Sequence, residues 1–214
     1  MHILLTRQLQ DSKDLIQKFK FNGFKVSNLP LLEINKFDYD EIKSYNHNAI
    51  VFTSSNAIRF LDLKNINKNI LCFCVGSYTE KTARSNGFQN VFAADGNVRN
   101  LKELIQQNLS EKDNKILYVS GDVVSYPLDK ELISEGYNVE RLINYTVKHN
   151  ENLDLSFLES LKIDMPNLVY VYSENSAKSF LKLIKKYELV DYWMNTNLMC
   201  IGEKPSSVLN VIKW

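Results

Sequence analysis

The feature that most constrains the fold is a strand-to-helix junction that occurs twice. In residues 50–57, Ile-Val-Phe-Thr-Ser-Ser-Asn-Ala, a run typical of a buried strand stops at hydroxyl side chains and a helical pattern follows. Residues 169–177, Val-Tyr-Val-Tyr-Ser-Glu-Asn-Ser-Ala, repeat this design, and aligning Ser54 with Ser173 also aligns the asparagines that follow them. One such junction alone indicates only a helix start. The repeat favours a duplicated α/β unit.

A second pair of junctions ends in Cys-hydrophobic-Gly, at Cys74-Val75-Gly76 and at Cys200-Ile201-Gly202. Strand patterns alternate with helix patterns along the whole chain, which is typical of parallel sheets covered by helices on both faces. Ligands of such sheets bind beyond the carboxyl ends of the strands. In this sequence those ends carry small and hydroxyl-bearing residues, so we expect the functional site there.

Three predicted elements mark where the chain would pass between two domains. Phe24–Ile34 is predicted as one strand bent at Pro30, residues 35–45 as a linker with a short helix, and Tyr137–Val147 as a long strand that also returns the chain. The strand at the opening junction predicts a following helix that runs to about Leu63.

Composition excludes several classes of function. The 214 residues include 26 basic and 25 acidic ones, so no overall charge favours nucleic acid or a membrane surface as a partner. The longest apolar runs are of strand length, far below the roughly 20 residues that span a bilayer. The N-terminus shows no signal-peptide pattern, and we therefore expect a cytoplasmic protein.

Cysteines and histidines predict no metal site. Cys72, Cys74 and Cys200 form neither a disulfide framework nor a zinc-ligand set, and we expect them to be reduced and mostly buried. The three histidines are scattered along the sequence. Asp122 and Glu174 follow strands without a partner at catalytic spacing, and we interpret them as charges at helix starts.

Motifs for the common cofactors are also missing. No Gly-x-Gly-x-x-Gly follows the first strand, no phosphate-binding loop with its lysine occurs, and no Gly-x-Ser-x-Gly precedes a helix. We therefore expect no cofactor. The remaining candidates for ligand binding are hydroxyl residues at helix starts. The free backbone N–H groups at a helix start can bind anions without a basic surface. Ordinary N-capping accounts for any one of these residues, but less well for the whole set.

Short motifs along nearly the whole chain match one known family. The residues that carry the match are Leu4-Leu5-Thr6-Arg7, Gly23 to Pro30, Phe52-Thr53-Ser54-Ser55-Asn56-Ala57, Val75-Gly76 with Thr79 and Ala83, Gly121 with Leu128 and Gly136, Tyr145, Tyr172-Ser173 and Ile201-Gly202. In their order and spacing, the chain resembles the uroporphyrinogen-III synthase family, the cyclases of tetrapyrrole biosynthesis.

The resemblance implies two flavodoxin-like parallel-sheet α/β domains, one inserted in the other and joined by a two-stranded linker. The first domain would comprise residues 1–35 and 149–214, and the second residues 36–148. The first domain is expected to lack its last strand and helix, or the chain to be incomplete. The repeated junctions would then face each other across an interdomain cleft.

The resemblance also implies the reaction. Hydroxymethylbilane, a linear tetrapyrrole with acetate and propionate groups, loses its hydroxyl and closes with inversion of the last pyrrole ring. Because this substrate also closes spontaneously without inversion, control of its conformation matters more than strong acid–base chemistry. Tyr145 is expected to protonate or hydrogen-bond the departing hydroxyl, unless it is only an interface aromatic. The residues expected to bind substrate carboxylates are Arg7, Thr53, Ser54, Ser55, Gly76, Thr79, Gly121, Ser173, Gly202 and Lys204.

Two positions depart from the family pattern. Ser125 stands where the family often has an arginine, and Pro205 where it has a threonine. Either Ser206 takes the place of that threonine, shifted by one position, or Pro205 simply lies in the first helical turn. Beside the enzyme, two readings stay open: a non-catalytic two-lobed module that binds small anions, and a flavin-binding relative of flavodoxin. The only expected partner is the linear tetrapyrrole, bound by a monomer without nucleic acid or membrane.

Overall fold

In the computed structural model the chain divides into two compact units. Unit 1 comprises Met1–Glu33 and Lys148–Trp214, and unit 2 comprises Ile34–Val147. The structure describes residues 1–40, 46–95, 97–109 and 111–214. The chain leaves unit 1 through strand β3 (Leu32–Lys36) and returns through strand β8 (Asn138–His149), which are hydrogen-bonded neighbours in one sheet.

Unit 1 is built on a four-stranded parallel sheet. Its strands are β1 (His2–Leu5), β2 (Lys25–Asn28), β9 (Leu168–Val171) and β10 (Asn197–Cys200), and its helices are α1 (Leu9–Phe21), α6 (Leu155–Ile163), α7 (Glu174–Lys186), α8 (Glu203–Leu209) and a 3-10 helix (Val190–Asn195). The order β2-β1-β9-β10 is that of the first four strands of a flavodoxin-like sheet. The strands all run parallel, and the direction in which successive strands are added to this sheet changes between β1 and β9.

The core of unit 1 is apolar and aromatic. Leu4 and Val169, on neighbouring strands, pack against Phe180 of α7, and all three are fully buried. The rings of Phe180 and Trp193 meet edge to face, with centroids 4.9 Å apart. Such burial of apolar surface is the main force that stabilises the sheet–helix arrangement.

Unit 2 is built on the larger sheet, of order β3-β8-β7-β4-β5-β6. Besides β3 and β8, its strands are β4 (Ala49–Phe52), β5 (Leu71–Val75), β6 (Asn90–Ala94) and β7 (Lys115–Gly121), and its helices are α2 (Ser55–Arg59), α3 (Ser77–Ser85), α4 (Val98–Asn108) and α5 (Leu128–Ser134). From β4 onwards the strand order is 3-2-1-4-5, with parallel pairs throughout. The direction of winding changes between β4 and β7.

Strand β4 shows why the sheet of unit 2 is covered on both faces. Ile50 and Phe52 belong to one apolar cluster, and Ala49 and Val51 to another on the opposite face. All four are fully buried. Because strand side chains alternate between faces, a continuous apolar run fits only such a central strand. The predicted parallel α/β class is confirmed.

Two predicted elements differ from the observed ones. Residues 24–34 form two strands, since β2 ends at Asn28 and β3 begins at Leu32. Pro30, which has no N–H to donate to a ladder, lies between them, and the Asn28 side chain bonds the carbonyl of Leu5 at 3.0 Å.

The other difference is the length of the helix after β4. It ends at Arg59 rather than at Leu63, because the Tyr39 hydroxyl accepts the N–H of Asp62 at 2.8 Å in place of a helical carbonyl. The short helix predicted within residues 35–45 falls partly on 41–45, which lie outside the described residues.

Candidate functional site

The carboxyl ends of β4 and β7 lie side by side where the winding of unit 2 changes. Thr53 and Ser54 follow β4, and Gly121 is the last residue of β7. In open parallel sheets the crevice outside such a point is the place where ligands bind. Three residues selected from the sequence are therefore brought together within this unit.

Tyr145 on β8 joins the same group. Its ring lies against Gly121 so closely that a Cβ atom added there would be 2.6 Å from Cε2 of the ring. The Ser54 side chain and the Gly121 backbone are polar neighbours of the Tyr145 hydroxyl. Phe60 covers the ring from another side, with centroids 6.4 Å apart. Tyr145 thus directs a phenol toward the carboxyl ends of β4 and β7.

The protonation state of Tyr145 follows from its burial. The side chain is 7% exposed, and loss of solvent raises the pKa of the phenol above its ordinary value. The polar groups of Ser54 and of the Gly121 backbone lower that pKa, but by less. At neutral pH the group is therefore a neutral phenol that has a proton to donate.

The other hydroxyl residues after β4 are engaged within unit 2. The Thr53 hydroxyl lies 3.3 Å from the hydroxyl of the buried Tyr118. Ser54 caps α2 by accepting the Asn56 N–H at 3.3 Å. The Ser55 side chain is buried. Helix α2 has five residues, so its dipole adds little, and a ligand here would meet hydroxyls and backbone groups.

Gly76 and Gly202 hold matching conformations at the helix starts one strand farther out in each sheet. Gly76, before α3, has φ 77° and ψ 153°, and Gly202, before α8, has φ 85° and ψ 174°. Such angles are almost restricted to glycine. The Cys-hydrophobic-Gly repeat therefore corresponds to one backbone geometry. Thr79 of α3 is buried, and Pro205 lies in the first turn of α8, in agreement with one of the two alternatives for that position.

The corresponding point of unit 1 lies between the carboxyl ends of β1 and β9. Arg7 follows β1 and places its guanidinium 4.1 Å above the ring of Tyr172, which follows β9. Among the residues that the structure describes, no carboxylate lies within ion-pair distance of this exposed guanidinium. A stacked, uncompensated arginine at a strand end is well placed to receive an anion.

Ser173 begins the 13-residue helix α7. Its hydroxyl accepts the Ser176 N–H at 3.1 Å and lies 2.9 Å from the Ser176 hydroxyl. Glu174 pairs with Lys178 at 2.6 Å, and the charge of Lys204 on α8 also lowers the pKa of Glu174. Arg7, Ser173 and Lys204 thus follow three neighbouring strands of one sheet.

Two residues near Tyr145 were missed or misinterpreted from the sequence. Asp122 was interpreted as a helix-start charge, but it precedes no helix, and its carboxylate accepts the backbone N–H groups of Val123 at 2.8 Å and Val147 at 3.3 Å. Arg141 was not selected at all, although its guanidinium donates to the Ser120 hydroxyl and the Gly121 carbonyl, both at 2.8 Å. A mid-strand arginine carries no sequence signal for such a role.

The three cysteines are free thiols in the structure. Cys72 and Cys74 are buried free thiols with their sulfurs 3.9 Å apart, and Cys200 is half-buried. Across the described ranges, no group of three or more His, Cys, Asp or Glu side chains is arranged to hold a metal ion. Within the same ranges, no helix is long and apolar enough to cross a membrane.

Comparison with known proteins supplies the family. A family model described as uroporphyrinogen-III synthase HemD matches residues 13–211. The solved uroporphyrinogen-III synthetase of Helicobacter pylori is 22% identical, with a TM-score of 0.65 over 99% of this chain and 89% of that one. A mutant uroporphyrinogen III synthase of Thermus thermophilus is 13% identical, with a TM-score of 0.61 over 99% and 88%.

An uncharacterised protein of Rickettsia prowazekii is 22% identical over 97% of this chain and 88% of that protein. At these identities the solved structures establish a shared fold, whereas the family model spans most of the chain and establishes the family. The chain belongs to the uroporphyrinogen-III synthase family, and its function is the one that this family carries out in tetrapyrrole biosynthesis.

Proposed function

We propose that the chain carries out this function as a cyclising hydro-lyase in which Tyr145 assists the loss of water from hydroxymethylbilane. The observation that carries the proposal is a buried, neutral phenol between Gly121 and Ser54, at the point where the winding of unit 2 changes. No carboxylate–histidine pair accompanies it among the described carboxyl ends of the strands, so the site is suited to one proton donation and to positioning.

The chemistry requires little more. The C–O bond of the hydroxymethyl group breaks, and the Tyr145 proton goes to the departing oxygen, which leaves as water. The electrons of the adjacent pyrrole stabilise the resulting azafulvene. The substituted α-carbon of the last pyrrole then attacks the freed carbon. The bond from that α-carbon to its original bridging carbon breaks, and the bridging carbon rejoins the ring at the unsubstituted α-carbon, which inverts the ring. The proton lost there on rearomatisation restores the phenol. Holding the substrate so that the substituted carbon attacks first, and not the unsubstituted one, is a positioning effect.

The carboxylates of the substrate bind, on this proposal, at the strand ends of both units. In unit 1 the exposed Arg7 supplies a full charge and Lys204 a second one, and the N-terminus of the long helix α7 adds free N–H groups at Ser173. In unit 2 the contacts are mostly neutral. The residues proposed for these are Thr53, Ser54, Ser55, Gly76, Thr79 and Gly121, with Gly202 in the same role in unit 1.

The rest of the proposal concerns organisation. The domains are residues 1–35 with 149–214, and residues 36–148. The enzyme acts as a monomer in the cytoplasm, on a linear tetrapyrrole, without cofactor, nucleic acid or membrane. The comparisons lend no support to a non-catalytic module.

The test is the isomer composition of the product. Hydroxymethylbilane is generated in the assay and incubated with and without the protein, and the uroporphyrins are separated after oxidation. We expect type III with the protein and type I without it. A product that stays type I at all protein concentrations contradicts the proposal.

A further inference from the structure

The guanidinium of Arg141 lies at the end of β7, where it binds Gly121, the residue in contact with the Tyr145 ring. Arg141 pairs in register with Tyr118 on β7, three residues before the end of that strand. From there its guanidinium reaches the strand end, where Nε donates to the Ser120 hydroxyl at 2.8 Å and Nη2 donates to the carbonyls of Gly121 at 2.8 Å and Asp122 at 3.2 Å. One side chain thus binds three consecutive residues.

Those three residues lie at an irregularity of the sheet. The β7–β8 register shifts between Ser120, which pairs with Ile143, and Gly121, which pairs with Tyr145. A register shift leaves local carbonyls without ladder partners, and the carbonyl of a buried residue such as Gly121 needs a donor. The Ser120 hydroxyl donates to that carbonyl at 3.1 Å. Arg141 supplies a second donor to it and also donates to the carbonyl of the exposed Asp122, where the strand leaves the regular ladder.

The charge of Arg141 is compensated inside unit 2. Its Nη1 lies 3.7 Å from the carboxylate of Asp129, a buried residue at the start of α5, and its guanidinium lies 6.0 Å from the centroid of the Tyr118 ring. The arginine is therefore already engaged on several sides. This differs from Arg7, whose guanidinium has no carboxylate partner within the described residues.

Gly121 consequently has Arg141 on its carbonyl and the Tyr145 ring against its Cα atom. We propose that Arg141 is a positioning residue for the reaction, which holds the end of β7 in the shifted register so that Gly121 seats the Tyr145 ring. This inference rests on the proposed function of Tyr145. It assigns Arg141 no contact with the substrate, since its donors and its charge are used within the protein.

The experiment compares steady-state constants of Arg141→Lys and Arg141→Gln with those of the wild type. Displacement of a reacting group by about 1 Å costs up to about 100-fold in rate, so we expect kcat to fall by about 10-fold to 100-fold. We expect KM to stay within about twofold, because no substrate contact is removed. We expect kcat of Arg141→Lys to fall as far as that of Arg141→Gln, because one ammonium group does not reproduce the planar guanidinium that donates to three acceptors.

Arg84→Gln is the matched control. Arg84 also lies in unit 2, donates to a backbone carbonyl, that of Val91, at 2.9 Å, and pairs with Glu80 at 3.0 Å, but it contacts none of the strand-end residues. Its kcat and KM should equal those of the wild type. Ser120→Ala removes the acceptor of Nε together with the hydroxyl that donates to the Gly121 carbonyl at 3.1 Å. It serves if the Arg141 variants do not fold, and it should lower kcat by about threefold at constant KM.

The possible results distinguish a failure of the positioning role of Arg141 from a failure of the proposed function. A rise in KM at constant kcat would make Arg141 a substrate ligand and overturn the inference. Unchanged constants in the Arg141 variants, or in Ser120→Ala if those do not fold, overturn it as well. Failure of the wild type itself to form type III product contradicts the proposed function instead.

Discussion

The ring of Tyr145 occupies the space that a side chain at position 121 would need. A Cβ atom built on Gly121 lies 2.6 Å from Cε2 and 2.8 Å from Cζ of Tyr145, distances at which one of the two residues has to move. Glycine is required here for close approach, not for an unusual backbone angle. The contact couples the end of β7 to the orientation of the phenol.

Gly121→Ala tests that coupling. We expect the added methyl group to displace the ring and to lower kcat by about 10-fold or more, since the buried ring moves with its hydroxyl. Initial rates of type III formation measure the effect. Tyr145→Phe in the same background serves as the control, because once Gly121→Ala has misplaced the phenol, removal of its hydroxyl should cost little more. Full additivity of the two losses would contradict the coupling.

Gly76→Ala should act through the backbone instead. No atom lies within 4 Å of a Cβ built on Gly76, so no clash arises, but the angles of φ 77° and ψ 153° are strained for any L-residue. We expect a loss of about 1–3 kcal/mol in the free energy of unfolding, measured by urea denaturation. An unchanged denaturation midpoint would show that the backbone at this junction adopts another conformation.

Arg7→Gln should weaken substrate binding. The guanidinium stacks on Tyr172 and has no carboxylate partner in the described part of unit 1, so its charge is available to a carboxylate of the substrate. We expect KM to rise by about 10-fold with little change in kcat, the size of one charge-assisted hydrogen bond. Lys18→Gln, an equal loss of charge on the exposed face of α1, is the control. Equal effects of both variants would indicate only a general electrostatic field.

Stability should depend on pH through His2. Burial is the main cause that lowers the pKa of this imidazole, whose Nε2 lies 2.8 Å from the Ser27 hydroxyl. The unfolded chain then binds more protons than the folded one below about pH 6.5, so the free energy of unfolding falls as the pH drops through that value toward the lower folded pKa. The Asp164 carboxyl, whose pKa Lys25 lowers, contributes only at more acidic pH.

Urea denaturation at pH 7.5 and pH 5.5 measures this dependence. His2→Gln should flatten it, whereas His149→Gln, at an exposed position, should leave it as in the wild type. A wild-type midpoint that does not decrease between the two pH values would contradict the prediction.

The parallel α/β class could be predicted because the signal is local. A strand buried on both faces, such as β4, needs a continuous apolar run, and the change to hydroxyl or glycine residues marks where the strand ends. Strand order depends on packing between distant segments, which no local pattern encodes. The winding change between β4 and β7, which places Ser54 near Gly121, therefore became visible only in the structure.

The site could be predicted in part for the same reason. Ser54, Gly121 and Tyr145 were selected through the family resemblance, but their proximity depends on the register shift after Ser120. Arg141 carried no signal, because an arginine within an alternating strand reads as a solvent-facing residue. Helix α2 was predicted too long, since the side chain that ends it, Tyr39, is distant in sequence.

The central claim is that the Tyr145 phenol supplies the proton to the departing hydroxyl, and Tyr145→Phe tests it most directly. Tyr137→Phe is the matched control, because Tyr137 is also buried in unit 2 and its hydroxyl donates to the Leu109 carbonyl at 3.3 Å, away from the carboxyl ends of β4 and β7. The measurement is kcat for type III formation at saturating hydroxymethylbilane. We expect a loss of about 100-fold in Tyr145→Phe and an unchanged kcat in Tyr137→Phe. Full turnover by Tyr145→Phe would contradict it.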